Sequence, residues 1–202
     1  MKQSIKSPKN ELKATQIKPS LVVFDLDGCI MNSDDFVITK KQAWELSKDD
    51  TSTSGYFAIE KPSKSEENDF SLAYLYKHHS EIQPYYGILD MFVKFAVNSN
   101  VAIVSSRYEI MHGLTTQWLE EQITKRHGND CWRRVRYTSY FNKFKESTLK
   151  FKKDTLSELM RTYDITLMVE DHPDVINWAK SKSIMVLVPS TGYKNLNGKD
   201  LQ

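Results

Sequence analysis

What the sequence lacks narrows it first. Only two cysteines occur in 202 residues, Cys29 and Cys131. Two so far apart make neither a metal-ligand pair nor a disulfide scaffold, which suits a reducing compartment. No apolar run approaches the roughly 20 residues that span a bilayer, and the lysine-rich start lacks a signal-peptide core. These absences predict a cytosolic protein with no membrane contact. Charge of one sign is lacking too: 28 basic residues against 26 acidic leave a formal +2. Net charge therefore gives no case for nucleic-acid binding, although basic residues can still cluster locally. No Gly-x-x-x-x-Gly-Lys-(Ser/Thr) loop occurs, so this chain carries no such nucleotide-kinase signature.

What is present is organised around Leu21-Val22-Val23-Phe24-Asp25-Leu26-Asp27-Gly28-Cys29. A short apolar run bounded by polar sequence reads as a strand buried on both faces, the kind found in parallel sheets covered by helices. Side chains two apart on a strand point the same way, so Asp25 and Asp27 can face one site while Leu26 turns into the core. A solvated turn is the plainer reading of Asp-x-Asp-Gly. Ligands of open α/β sheets, however, bind outside the carboxyl ends of strands, where this pair falls.

The rest of the chain repeats the alternation. Ile88, Met91, Phe92, Phe95 and Ala96 recur at helical spacing, and Val101–Val104 form a second strand running into Ser105-Ser106-Arg107. Ile110, Leu114 and Trp118 mark another helix close behind. Lys152 and Lys153 precede Leu156, Leu159 and Met160, with Asp154 as the expected N-cap. Ile165–Val169 then lead into Glu170-Asp171-His172-Pro173-Asp174, where Asp174 reads as a helix cap. Strand and helix in alternation predict an α/β fold, a Rossmann-like parallel sheet with helices on both faces. Residues 1–19 read as a basic, mobile arm and 20–202 as one domain, within which 32–83 is a polar, aromatic-containing insertion after the first strand. The stretch 125–153 mixes ten basic residues with aromatics, read either as a nucleic-acid track or as a solvated basic face with a short strand near Val135.

In this order the motifs resemble the haloacid dehalogenase superfamily, whose first motif is Asp-x-Asp-x-(Thr/Val); Cys29 stands where Thr or Val is usual. The run Ser105-Ser106-Arg107 with Thr116-Gln117-Trp118-Leu119, and Trp178 further on, resembles the polynucleotide kinase 3′-phosphatase branch. The resemblance implies a phosphatase in which Asp25 is the nucleophile and Asp27 the general acid and base. Ser105, Ser106, Arg107 and Lys152 then bind phosphate, with Lys153 as the other candidate lysine. By the same resemblance Asp25 and Asp171 hold Mg²⁺ through side chains and Asp27 through its carbonyl, Glu170 supports them, and the 32–83 insertion is a small cap.

The residues alone also point to a cation. Four carboxylates at neighbouring strand ends repel one another unless a positive ion sits among them, and oxygen ligands suit Mg²⁺. His172 has no second histidine at metal-ligand spacing, which argues against zinc. The expected substrate is a phosphomonoester of nucleotidic type, either a nucleoside monophosphate or the 3′-phosphate end of a nucleic acid. A catalytically idle module that binds nucleic acid or a partner, and a sugar-phosphate phosphatase or mutase, are the competing readings.

Overall fold

Strand β1 (Ser20–Phe24) divides the protein into two cores. Its alternate side chains serve opposite faces: Val22 and Phe24 enter one apolar cluster, Leu21 and Val23 the other, as the strand's period of two requires. The structure is a computed structural model that describes residues 17–33, 78–143 and 146–189. Strands β2 (Met31–Asn32) and β3 (Gln83–Pro84) form a small antiparallel pair. The main sheet adds β4 (Val101–Tyr108), β5 (Thr138–Asn142), β6 (Asp164–Val169) and β7 (Met185–Leu187), in the order β5-β4-β1-β6-β7. Every neighbouring pair in it is parallel.

Parallel pairing requires a crossover between successive strands, and helices supply it. Helix α1 (Tyr86–Asn98) leads into β4, and α2 (His112–His127) with the single turn α3 (Asn129–Trp132) leads into β5. Helix α4 (Thr148–Thr162) leads into β6 and α5 (Pro173–Ser181) into β7. Leu89, Phe92, Val93 and Ala96 of α1 pack with Trp118, Leu119 and Ile123 of α2 on the face of β1 that presents Phe24. Leu156 and Leu159 of α4 and Val175 and Ala179 of α5 cover the other face. The expected three-layer α/β fold is therefore present. Phe24 meets Phe92 edge to face at 5.4 Å between ring centroids, and each fully buried ring of this kind contributes about 2 kcal/mol by burial alone.

Several local expectations shift. On α1 the fully buried stripe is Leu89, Phe92, Val93 and Ala96, while Ile88, Met91 and Phe95 pack at its margin. Strand β4 runs through Ser105 to Tyr108, and a 3₁₀ turn, Glu109–Met111, intervenes before α2. Ile110 lies on that turn and is 73% exposed, so the apolar stripe begins instead at Met111. Ser147, not Asp154, caps α4, its Oγ accepting from the Lys150 amide at 3.4 Å. The stretch from Thr148 has no helix breaker and joins the helix, which places Lys152 inside it on the same face as Leu156 and Leu159. His172 is the N-cap of α5, with Pro173 at the first turn, where its fixed φ and missing N–H are tolerated. Asp174 follows in that turn. Val135 is buried in a loop, and the strand of that region lies at Thr138–Asn142.

The expected arm and insertion fall largely outside the described residues, since 1–16 and 34–77 are not among them. The two ends of the insertion are nevertheless brought together. Met31 pairs with Pro84 and Asn32 with Gln83, and the Tyr85 hydroxyl donates to Asn32 Oδ1 at 2.9 Å. No helix among the described residues is long and apolar enough to cross a membrane.

Candidate active site

The adjacent strands β4, β1 and β6 end side by side and deliver the site. Asp25 follows β1 directly, and its amide donates to Val169 O at 2.9 Å, which fixes it against the end of β6. From α4, the buried Lys152 places Nζ 2.7 Å from Asp25 Oδ2 and 3.0 and 2.9 Å from the two oxygens of Glu170. Glu170 is fully buried and also accepts from the His172 amide at 2.9 Å. Both Glu170 oxygens are thus occupied in holding Lys152, and Glu170 acts on the site through that lysine. Lys153, one residue on, is only half-buried on another side of the helix.

Asp27 has a different partner. Arg107 donates Nη2 to Asp27 Oδ1 at 2.5 Å and Nε to Asp27 Oδ2 at 2.7 Å, a two-point pairing of guanidinium with carboxylate. Arg107 reaches inward because the β4–β5 register slips between Ser105 and Tyr108, and such irregularities re-aim side chains at strand ends. The Arg107 amide donates to Ser105 Oγ at 3.2 Å within this irregular stretch. Ser105 and Arg107 are buried, whereas Ser106 between them is half-buried. Thus the arginine expected to bind phosphate is engaged with Asp27, and the buried Ser105 hydroxyl braces the backbone of the same turn.

His79 is the site residue that sequence reasoning missed. It closes the assembly from behind, with Nε2 2.8 Å from Arg107 Nη1. It sits at the end of the polar 32–83 insertion, beside another histidine, with no periodicity to single it out.

The fourth carboxylate, Asp171, completes a cluster. Single ligand atoms of Asp25, Cys29 and Asp171 all lie within 4.8 Å of one another. Gly28 makes this approach possible. Its φ is +70°, and a Cβ built there would lie 2.1 Å from Asp171 Oδ2. Gly28→Ala is expected to cost about 1–2 kcal/mol through the left-handed backbone and to push Asp171 aside. The Mg²⁺ midpoint in a thermal-shift titration should then rise about tenfold if one ligand contact is lost, a loss of about 1.4 kcal/mol. An unchanged midpoint would exclude Asp171 from cation binding.

The electrostatics fit a divalent ion. Asp25, Glu170 and Asp171 against Lys152 leave two negative charges formally unbalanced. Burial pushes the Asp25 carboxyl up to about 7 despite Lys152, with Glu170 and Asp27 adding to the rise. Burial and the nearby Asp25 push Asp171 up to about 6. Burial also raises Glu170, against the pull of Lys152. Asp27 is the exception: burial alone would raise it, but Arg107, with Ser33 and Lys152 adding, holds it below its ordinary value. Lys152 is raised, because its two carboxylates outweigh its desolvation. Carboxylates driven up in this way are relieved by a cation.

The same fold is found in solved structures. A haloacid dehalogenase-like family hydrolase from Streptococcus pneumoniae superposes with a TM-score of 0.52 at 15% identity, over 85% of this chain and 84% of that one. This chain has the haloacid dehalogenase-like fold. CbbY from Rhodobacter sphaeroides, solved with phosphate, matches at 0.54 and 12% identity over 90% of each chain. The protein tyrosine kinase A structure from Mycobacterium tuberculosis matches at 0.56 and 15% identity, over 92% and 90%. No protein-family model and no curated protein matches the sequence significantly. One haloacid dehalogenase-like fold thus underlies proteins described as a hydrolase and as a kinase, so the chemistry of this one has to be argued from its own residues.

Among the described residues of the basic stretch 125–153, several cations have carboxylate partners. Arg126 pairs with Asp90 at 2.5 Å and lies over the Tyr86 ring. Lys143 pairs with Glu109 at 3.0 Å, and Lys150 pairs with Glu146 and Asp154. Arg136 donates to the carbonyls of Arg133 and Val135, and Lys152 is buried in the site. Neighbouring carboxylates therefore offset part of the positive charge that this stretch carries in sequence.

Proposed function

We propose that the chain is a divalent-metal-dependent phosphomonoesterase that works through an aspartyl-phosphate at Asp25. The observation that carries this reading is the buried Asp25 carboxylate, 2.7 Å from a lysine whose other partner is the buried Glu170. A buried ammonium beside a nucleophile can neutralise charge on an incoming phosphoryl group, the electrostatic work that dominates phosphoryl transfer.

In the first step Asp25 attacks phosphorus while the bond to the ester oxygen breaks and Asp27 hands that oxygen a proton. In the second step Asp27, now a carboxylate, takes a proton from the water that cleaves the aspartyl-phosphate. Arg107 keeps Asp27 ionised at rest, which suits the second step directly. For the first, a phosphate dianion arriving beside Asp27 raises its affinity for a proton. Asp25 and Asp171 would hold Mg²⁺ through their side chains and Asp27 through its carbonyl. When bound, the ion supplies charge neutralisation at the phosphoryl oxygens.

The proposed substrate is nucleotidic, on the resemblance carried by Arg107, the Thr116-Gln117-Trp118-Leu119 helix and Trp178. Trp118 itself is buried, with Nε1 donating to Ile82 O at 2.9 Å, so it packs the fold and does not stack a base. The carboxylate partners of Arg126, Lys143 and Lys150 support a mononucleotide over a strand end, which would require a continuous basic groove. Phosphate release should be compared across nucleoside monophosphates, 3′-phosphorylated oligonucleotides and sugar phosphates, with Mg²⁺ and with EDTA, at two salt concentrations. The expected result is Mg²⁺-dependent turnover, highest kcat/KM on mononucleotides and a shallow salt dependence, because few phosphates are contacted. Equal or better turnover of sugar phosphates would overturn the nucleotide assignment.

A further inference from the structure

We infer that His79 is a positioning residue for the acid–base carboxyl Asp27, acting through Arg107; the inference rests on the phosphatase reading above. The contact chain is continuous, and its first two members lie out of water. His79 is 2% exposed and Arg107 6%. Arginine has only donors, so in the 2.8 Å contact between Arg107 Nη1 and His79 Nε2 the histidine accepts, with its proton on Nδ1. The same guanidinium spends Nε and Nη2 on the two oxygens of Asp27. Its planar fork cannot turn at one end without moving the other, so an acceptor held at Nη1 sets the orientation of the carboxyl. Among the described residues the other contact to Nη1 is Thr115 Oγ1, at 3.5 Å, longer than the histidine contact by 0.7 Å.

His79 is itself held. It opens the 3₁₀ turn His79–Glu81, and the next residue, Ile82, is buried and accepts at its carbonyl from Trp118 Nε1 at 2.9 Å. The His79 ring stands at 83° to the Trp118 ring, with centroids 6.5 Å apart. An apolar ring would fill this position without placing a basic group against a guanidinium. Burial, and then the Arg107 charge, drive His79 down to about 4, so it is neutral at physiological pH and able to accept. What histidine contributes here, and an apolar ring would not, is the acceptor at Nε2.

The role predicts a dependence on leaving group. An alkyl phosphate expels a basic alkoxide and needs the proton from Asp27, whereas a nitrophenyl phosphate expels a weakly basic phenolate and needs it little. For each ester, kcat/KM reports the step in which the leaving group departs. His79→Phe keeps the ring and removes the acceptor; His79→Gln restores an acceptor near the Nε2 position. In the full chain with Mg²⁺, His79→Phe should lose about tenfold or more in kcat/KM on glycerol phosphate, the smaller part of the about 10²–10⁴ that general acid catalysis supplies. The loss on p-nitrophenyl phosphate should be no more than about threefold, and His79→Gln should recover most of the loss on glycerol phosphate.

Equal losses on both esters, a gain on the alkyl ester or failure of Gln to rescue would overturn the role, whatever the thermal stability of the variants. If the phosphatase reading itself is wrong, the wild-type chain releases phosphate from neither ester, and the His79 role falls with it. An active wild type with equal losses in His79→Phe overturns the His79 role alone.

Discussion

Asp25→Asn is expected to leave a folded chain that releases phosphate at least about a thousandfold more slowly than wild type. The amide keeps the shape of the carboxyl but offers no charged oxygen to phosphorus, and a barrier raised by about 4 kcal/mol is a thousandfold in rate. Folding should survive, because Lys152 keeps its two contacts to Glu170. Burial raises Asp25 from 3.8 to about 7, so the ionised carboxyl costs the metal-free fold stability. That cost builds as pH rises from 3.8 toward 7 and is complete above it, since the unfolded chain ionises first. The asparagine variant carries no such cost and should melt no lower than wild type at pH 8 in EDTA. Turnover within about tenfold of wild type would sink the nucleophile assignment.

Lys152→Met is expected to be the most damaging single change to stability. It leaves the buried Asp25 and Glu170 carboxyls without their shared cation, and breaking a buried ion pair from one side costs about 3–5 kcal/mol. For a chain of this size that lowers the melting temperature by roughly 10 °C, and turnover should fall below detection. Adding Glu170→Leu should recover much of the melting temperature, because the uncompensated charge goes with it. It should recover no activity, because Asp25 still lacks its neighbour. A single variant that melts with wild type would mean that Lys152 is not the cation holding these carboxylates.

The parts of this site legible in the sequence are those fixed by strand geometry. Asp25 and Asp27 lie at the end of an apolar run, and Glu170-Asp171 lie at the end of another. Lys152 could be chosen over Lys153 because Leu156 falls one helical turn later, and the structure buries Lys152 on that face. What the sequence hid depends on contacts distant along the chain. The pairing of Arg107 with Asp27, 80 residues away in sequence, follows from the slipped β4–β5 register, which no local pattern shows. His79 has no local pattern at all, and among the described residues Arg107 and Trp118 define its place. The basic stretch 125–153 suggested a groove because its partners Asp90 and Glu109 lie outside it in sequence. The start of α4 is ambiguous in sequence for a related reason: Ser147 and Asp154 are both acceptable caps, and packing of Lys152, Leu156 and Leu159 against the sheet decides between them.

The covalent intermediate is the central claim, and chemical trapping tests it most directly. During Mg²⁺-dependent turnover the chain should be quenched and reduced with borohydride, which converts an acyl phosphate on aspartate into homoserine, and then digested and sequenced by mass spectrometry. The account predicts homoserine at position 25 in the wild-type chain and at no other aspartate, with no such product from Asp25→Asn. An active wild-type chain that yields no reduced residue at 25 under rapid quench, or yields it elsewhere, would contradict it.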